Sequence, residues 1–238
     1  MSSRHVLYER AGLDGLCPSP VCWRTRIALA LKGVDAERRA MRFADVDRLA
    51  EITGSRTVPV LAVDGAMVVG SDAIAARLDA MVPDDMPLMR DDAATVGADL
   101  EREFSNRIGP LVSADFMRRL LPEDRDYYQQ SREARFGKTF EELETLRPGL
   151  ELDLAFSLGR IEPQLENHRY LGGDEIGWID IMVYSYLAWI AFASPRSVPE
   201  LVNPVRTWFE RHDAEWRTIC LEPSIPPEID PTEADPSS

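Results

Sequence analysis

Lysine is almost missing from this chain. Lys32 and Lys138 are the only two among 27 basic residues, and the arginine bias is read as composition, with dedicated phosphate pairing the lesser alternative. There are three cysteines, Cys17, Cys22 and Cys220, too few for a disulfide framework in a chain without a secretory signal pattern. The histidines, His5, His168 and His212, are scattered, and no Cys-x-x-Cys or His-x-x-x-His pair occurs, so no metal is expected. The glycines form neither a dinucleotide fingerprint nor a phosphate loop. No apolar run reaches the roughly 18 residues of a membrane span, and a cytoplasmic protein is expected. A net charge of −14 argues against nucleic acid as a partner.

What is present is a change of pattern along the chain. The first part alternates short strand-like runs with helices. HVLYER (5–10) reads as a strand. SPVCWRTRIALALKGV (19–34) then reads as a helix opened by Ser19 and Pro20 and closed by Gly33, with Trp23, Ile27, Ala30 and Leu31 on its buried face. A weak strand over 36–43 and a short helix over 46–52 follow. TVPVLAVDGAMVV (57–69) reads as a hairpin turning at Asp64-Gly65. A further helix starts near Ser71, with Ser71 or Asp72 as its cap.

Residues 83–90, rich in Pro and Asp, read as a linker. The expected organisation is an α/β domain over 1–82 and an all-helical domain over 91–220. An acidic, Pro-rich tail over 221–238 is expected to be disordered. Within the second domain, helices are expected over 91–121, 123–136, 139–146, 150–168, 178–192 and 204–217.

A strand, a loop and then a Ser or Cys at a helix start is the layout of a thioredoxin-type thiol site. The unpaired N–H groups and partial positive charge of a helix N-terminus favour a thiolate there. Taken alone, Ser19 could equally be a plain N-cap. Cys22 stands where the second cysteine of a redox motif would, although a place one turn inside the helix suits a buried core residue better. Cys17 is expected near the mouth of a pocket, and a Cys17–Cys22 disulfide is the minor alternative.

Set together, SPVCWRT (19–25), Val58-Pro59 and Ser71 resemble the glutathione S-transferase superfamily in its serine-type branch. The closest likeness is to the bacterial β-etherase and fungal A-type (FuA) group, whose motif is Ser-Pro-x-x-Trp-Arg-Thr. The segments 124–143 and 170–187 carry the same likeness, including Asp180 at the third position of a capped helix. The resemblance implies a thioredoxin-like domain followed by a helical bundle, with glutathione as co-substrate and no metal.

The resemblance further implies that Ser19 activates the thiol and that Pro59 follows a cis peptide bond. Val58 would pair through its backbone with the cysteinyl part of glutathione. Ser71, flanked by Gly70 and Asp72, would hold the γ-glutamyl carboxylate. The family carries an acid where this chain has Gly70, which leaves room for another thiol such as mycothiol.

Val21, Phe104, Met117 and Tyr128, with Tyr127 and Trp189, are candidates for a hydrophobic pocket taking a small electrophile, an aromatic ether being one. A homodimer is implied. Two alternatives stand beside this reading: a zeta-class-like isomerase of the maleylacetoacetate type, whose helix motif is also similar, and a non-catalytic ligand-binding protein.

Overall fold

The computed structural model describes residues 5–90 and 96–227 of the chain. The N-terminal part runs β1 (Val6–Arg10), α1 (Pro20–Leu31), β2 (Glu37–Met41), α2 (Val46–Thr53), β3 (Val60–Val63), β4 (Ala66–Val69) and α3 (Ser71–Met81). The sheet order is β2-β1-β3-β4, with β1 parallel to β2 and antiparallel to β3, and with β3 antiparallel to β4. This is the thioredoxin-like arrangement expected. The hairpin turns where Asp64 (φ 51°) and Gly65 (φ 78°) both take positive φ, the demand of a two-residue type I′ loop that Asp-Gly meets at low cost.

A helical unit follows: α4 (Val96–Phe116), α5 (Arg125–Phe136), α6 (Phe140–Gly159), α7 (Glu162–Asn167), α8 (Trp178–Ala193) and α9 (Val205–Leu221). No helix among the described residues is long and apolar enough to cross a membrane. Residues 91–95 of the expected first helix, and the tail from residue 228 onward, lie outside the described residues.

Four expectations need correction. Helix α1 is not amphipathic. It packs against α3, α8 and α9, so it is covered nearly all round, with Arg24 and Arg26, and Lys32 just past its end, buried and Ala30 exposed. The break expected near Pro148 is absent: α6 runs through it. Proline removes one ladder hydrogen bond, but packing along α4 and a capping box hold the helix. In that box Thr139 N donates to Glu142 Oε2 (2.7 Å) and Glu142 N to Thr139 Oγ1 (3.2 Å).

The start of the expected tail is held in place. Ile225 adds to the edge of β2, its N–H donating to Arg38 O (3.0 Å) and its carbonyl accepting from Ala40 N (3.0 Å). Finally, the second strand is shorter than expected, Glu37–Met41. Its charges are those of an edge strand, and Arg38 pairs with Glu222 at 2.6 Å.

Three buried polar centres join the units. Arg24 donates to Ser185 Oγ of α8 (3.0 Å), pairs with Glu101 of α4 (2.6 Å) and lies 4.6 Å from the centroid of the Tyr186 ring. Arg26 pairs with Glu9 of β1 and reaches the carbonyls that end α9. Asp180, fully buried near the start of α8, accepts from Leu171 N (2.8 Å), Trp208 Nε1 (2.8 Å) and Gly177 N (3.1 Å). Gly177 has no side chain to complete a capping box, so only the Asp180 half of that motif exists.

His212 of α9 is 1 % exposed, stacked on Trp216 with Trp208 edge-on, and neither ring nitrogen has a hydrogen-bond partner among the described residues. Burial, aided by nearby Arg211 and Arg169, lowers its pKa from 6.5 to about 3. Between those values the unfolded chain takes up a proton that the fold refuses. Stability is therefore complete above pH 6.5 and is lost as pH falls. By about pH 5 the loss should be roughly 2 kcal/mol. Urea titrations of the wild type and His212→Phe at neutral pH and about pH 5 check this: the wild type should lose about that much more.

Candidate functional site

Ser19 occupies the N-cap position of α1 with extended backbone (φ −107°, ψ 121°), and Pro20 fills the first helical position. The hydroxyl makes no capping hydrogen bond. Ser19 is half-buried. It stands where the first N–H groups of α1 point outward, a setting that favours an anion.

Ser19 borders a cleft of about 140 Å³, close in size to a cavity that accepts a single benzene ring. Pro18, Pro20 and Val21 line it from the same loop and helix start, and Phe43, Phe116, Tyr186 and Trp189 form its aromatic walls. Helix α5 contributes Tyr128, Arg132, Arg135 and Phe136. The Trp189 indole donates to Pro18 O (3.1 Å), and the Trp23 indole donates to Cys17 O (2.7 Å), so two aromatic N–H groups fix the loop that carries Ser19. Phe43 is held from behind by Asp124, which accepts from Phe43 N and Ala44 N, both at 3.0 Å.

Of the residues expected to line a pocket, Val21, Tyr128 and Trp189 do so. Phe104 does not: it is fully buried and stacks on Tyr186 at 6.0 Å, one layer behind the wall. Met117 packs on the core and Tyr127 faces solvent, neither lining the cleft. Cys17 is not at the mouth but fully buried, and burial pushes its thiol above the ordinary range. All three cysteines are free and buried, with no Cys17–Cys22 bridge. Phe43, Phe116, Phe136 and Tyr186 were not anticipated, because aromatic residues at helical spacing suit core and cleft alike.

A second group gathers at the starts of β3 and α3. The Val58-Pro59 bond is cis. Pro59 O accepts from Gly70 N (2.9 Å), which sets the cis turn beside the start of α3. Gly70, not Ser71 or Asp72, is the N-cap of α3, with φ +90° and no side-chain cap bond. Ser71, at the first helical position, is buried and its hydroxyl donates to Asp72 Oδ1 (3.2 Å). Asp72 Oδ1 also accepts from Trp178 Nε1 of α8 (3.1 Å). Asp72 is thus a tie to the helical unit rather than a cap.

A Cβ at Gly70 would meet open space, but the positive φ is one that side-chain-bearing residues rarely adopt. No group of three or more metal-ligating side chains occurs among the described residues.

Residues 18–81 match the profile of the glutathione S-transferase N-terminal domain, and residues 94–219 match that of the glutathione S-transferase C-terminal domain. The chain is 25% identical over 202 residues to a probable glutathione S-transferase, parA, of Nicotiana tabacum, spanning 81% of this chain and 82% of that one. Its fold is similar to that of the glutathione S-transferase CsGST63524 of Ceriporiopsis subvermispora, solved in complex with glutathione. There the TM-score is 0.77 at 18% identity, over 94% of this chain and 100% of that one. It is also similar to glutathione transferase GSTFuA3 from Phanerochaete chrysosporium (TM-score 0.67, 22% identity, 92% and 95% covered). A further likeness is to glutaredoxin 2 of Salmonella typhimurium in complex with glutathione (TM-score 0.72, 17% identity, 91% and 96% covered).

Proposed function

The chain belongs to the glutathione S-transferase family, and from that premise we propose that it binds glutathione and delivers the thiolate, held by Ser19, to a hydrophobic electrophile in the adjoining cleft. One observation carries this reading: Ser19 sits at an N-cap yet its hydroxyl caps nothing and borders an aromatic-walled cleft. A serine kept only as a cap would accept, through its side-chain oxygen, a backbone N–H of the first helical turn.

The energetic demand is modest. A free thiol has a pKa near 8.5, and lowering it by about two units takes roughly 2.7 kcal/mol. A hydroxyl donor plus the N-terminus of α1 is of that order. Ser19 acts as donor to the sulfur, not as nucleophile. In this reading the cis Val58-Pro59 turn offers its backbone to the cysteinyl part of glutathione. Ser71, at the N-terminus of α3, holds the γ-glutamyl carboxylate without the acid that Gly70 replaces. The β-etherase and FuA likeness suggests an aromatic ether or related aromatic electrophile, and the same likeness suggests a homodimer.

The test is Ser19→Ala. The kcat/KM for conjugation should fall about tenfold to a hundredfold, roughly the value of one charge-assisted hydrogen bond, while calorimetry should still find glutathione bound. The ultraviolet titration of the bound thiol should move upward. Unchanged conjugation in Ser19→Ala would sink the proposal.

Gly70 in the place of the family's acid favours a second reading, a ligand-binding protein that holds no thiol. Failure of the wild type to bind glutathione or mycothiol would select it.

A further inference from the structure

The charge of the cleft is opposite to that of the chain. The protein carries −14 overall, yet among the described residues no Asp or Glu lines the cleft, and two arginines, Arg132 and Arg135, do. On α5, Tyr128, Arg132, Arg135 and Phe136 fall at i, i+4, i+7 and i+8, a single stripe facing the cleft. That spacing ordinarily presents an unbroken apolar face, and two of its four places here are cations.

Neither guanidinium is neutralised. Arg132 lies 4.9 Å from the Tyr128 ring centroid, and Arg135 donates to Ser105 Oγ (3.3 Å), but among the described residues neither pairs with a carboxylate. Carboxylates on neighbouring segments are committed elsewhere. Asp124 accepts two backbone N–H groups, Glu133 accepts from Gln129 Nε2 and Phe140 N, and Glu101 pairs with Arg24. A third guanidinium, Arg10, stands 5.0 Å from the ring of Phe43, a cleft wall, and donates to a carbonyl, Arg42 O (2.8 Å). Other buried arginines of this chain, Arg24 and Arg26, are matched to acids.

Resting on the transferase reading of the same site, we infer that the cleft selects aromatic electrophiles bearing a negative charge, a carboxylate above all. The ring lies among Phe43, Phe116, Tyr128 and Trp189, and the anion meets Arg132 and Arg135. A guanidinium pair on one helix face suits the two oxygens of a carboxylate. In the reaction, the glutathione sulfur bonds to the electrophilic carbon and the leaving group departs with the electrons of its own bond. The thiol proton goes to solvent, and no oxidant is needed.

A matched pair of probes tests this: 4-chloro-3-nitrobenzoate and its methyl ester, which share the carbon that loses chloride. Each kcat/KM with glutathione is divided by its own uncatalysed rate, which removes the difference in intrinsic reactivity. The wild type should favour the acid by about tenfold, and the preference should shrink as salt is added. Arg132→Gln with Arg135→Gln should raise the KM for the acid about tenfold relative to the KM for the ester, so that the preference for the acid disappears. An ester turned over as well as the acid, or a double variant that lowers both together, overturns the inference.

Calorimetry of the acid alone separates this inference from its premise. Arginine-dependent binding without turnover keeps the charge selection and overturns the transferase reading. Turnover with no preference for the acid does the reverse, and neither binding nor turnover overturns both.

Discussion

Arg26→Met should cost the fold about 3–5 kcal/mol, the loss expected when one partner of a buried ion pair is removed. Arg26 and Glu9 are both essentially inaccessible, and the guanidinium meets both carboxylate oxygens, at 2.9 and 2.5 Å. It also donates to Ile219 O, Cys220 O and Glu222 O, and to Ser224 Oγ. The first two carbonyls belong to the last turn of α9, where backbone acceptors have no helical donor and a cation is favoured.

Burial works against the Arg26 charge, but the Glu9 carboxylate outweighs it and raises the pKa above the usual arginine range. Methionine fills much of the volume yet leaves the Glu9 carboxylate buried with Ser224 as its remaining side-chain partner among the described residues. Urea unfolding should report the loss directly, with the melting temperature lower by roughly 10 °C. Adding Glu9→Gln should recover part of it, because the stranded charge is then gone. An Arg26→Met protein within 1 kcal/mol of wild type, by the same order-of-magnitude standard, would refute the argument.

Asp180→Ala should come next, at about 4 kcal/mol. The carboxylate gathers the Leu171 and Gly177 N–H groups and the Trp208 indole at distances of 2.8 to 3.1 Å, with no solvent exposure. Its removal strands three buried donors, each costing roughly 1–3 kcal/mol, and leaves a cavity besides. Asp180→Asn separates the two causes. An amide oxygen in place of Oδ1 keeps Leu171 and Trp208 and forfeits Gly177, so the cost should be nearer 1–2 kcal/mol. Denaturant midpoints give the totals, and hydrogen exchange at Leu171 and Gly177 shows which amides were released.

The parts of this protein legible in its sequence were those governed by neighbours in the chain. Asp64-Gly65 announces the hairpin because positive φ at both positions is a local demand. The apolar run from Trp178 announces α8, and a Ser-Pro at the foot of a periodic segment announces the start of α1. What stayed hidden depends on distant partners. Nothing near Arg24 or Arg26 foretells burial, since their partners lie up to 198 residues away. Pro148 should end a helix on local grounds, and the packing of α6 along α4, with the capping box at its start, carries it through. The cleft was half visible. Ser19, Val21 and Tyr128 could be named, but Arg132 and Arg135 resemble solvated surface until the stripe they share with Tyr128 and Phe136 is placed against Trp189.

The strand-like segment at Ile225 has a bearing on how the protein is made. It covers the outer edge of β2, while Arg26 waits for carbonyls as far on as Glu222. At ordinary synthesis rates those residues emerge roughly 10–40 s after α1. Throughout that interval the growing chain presents a bare sheet edge and an incompletely coordinated internal charge. The first unit is therefore completed only after the helical unit that follows it has been made.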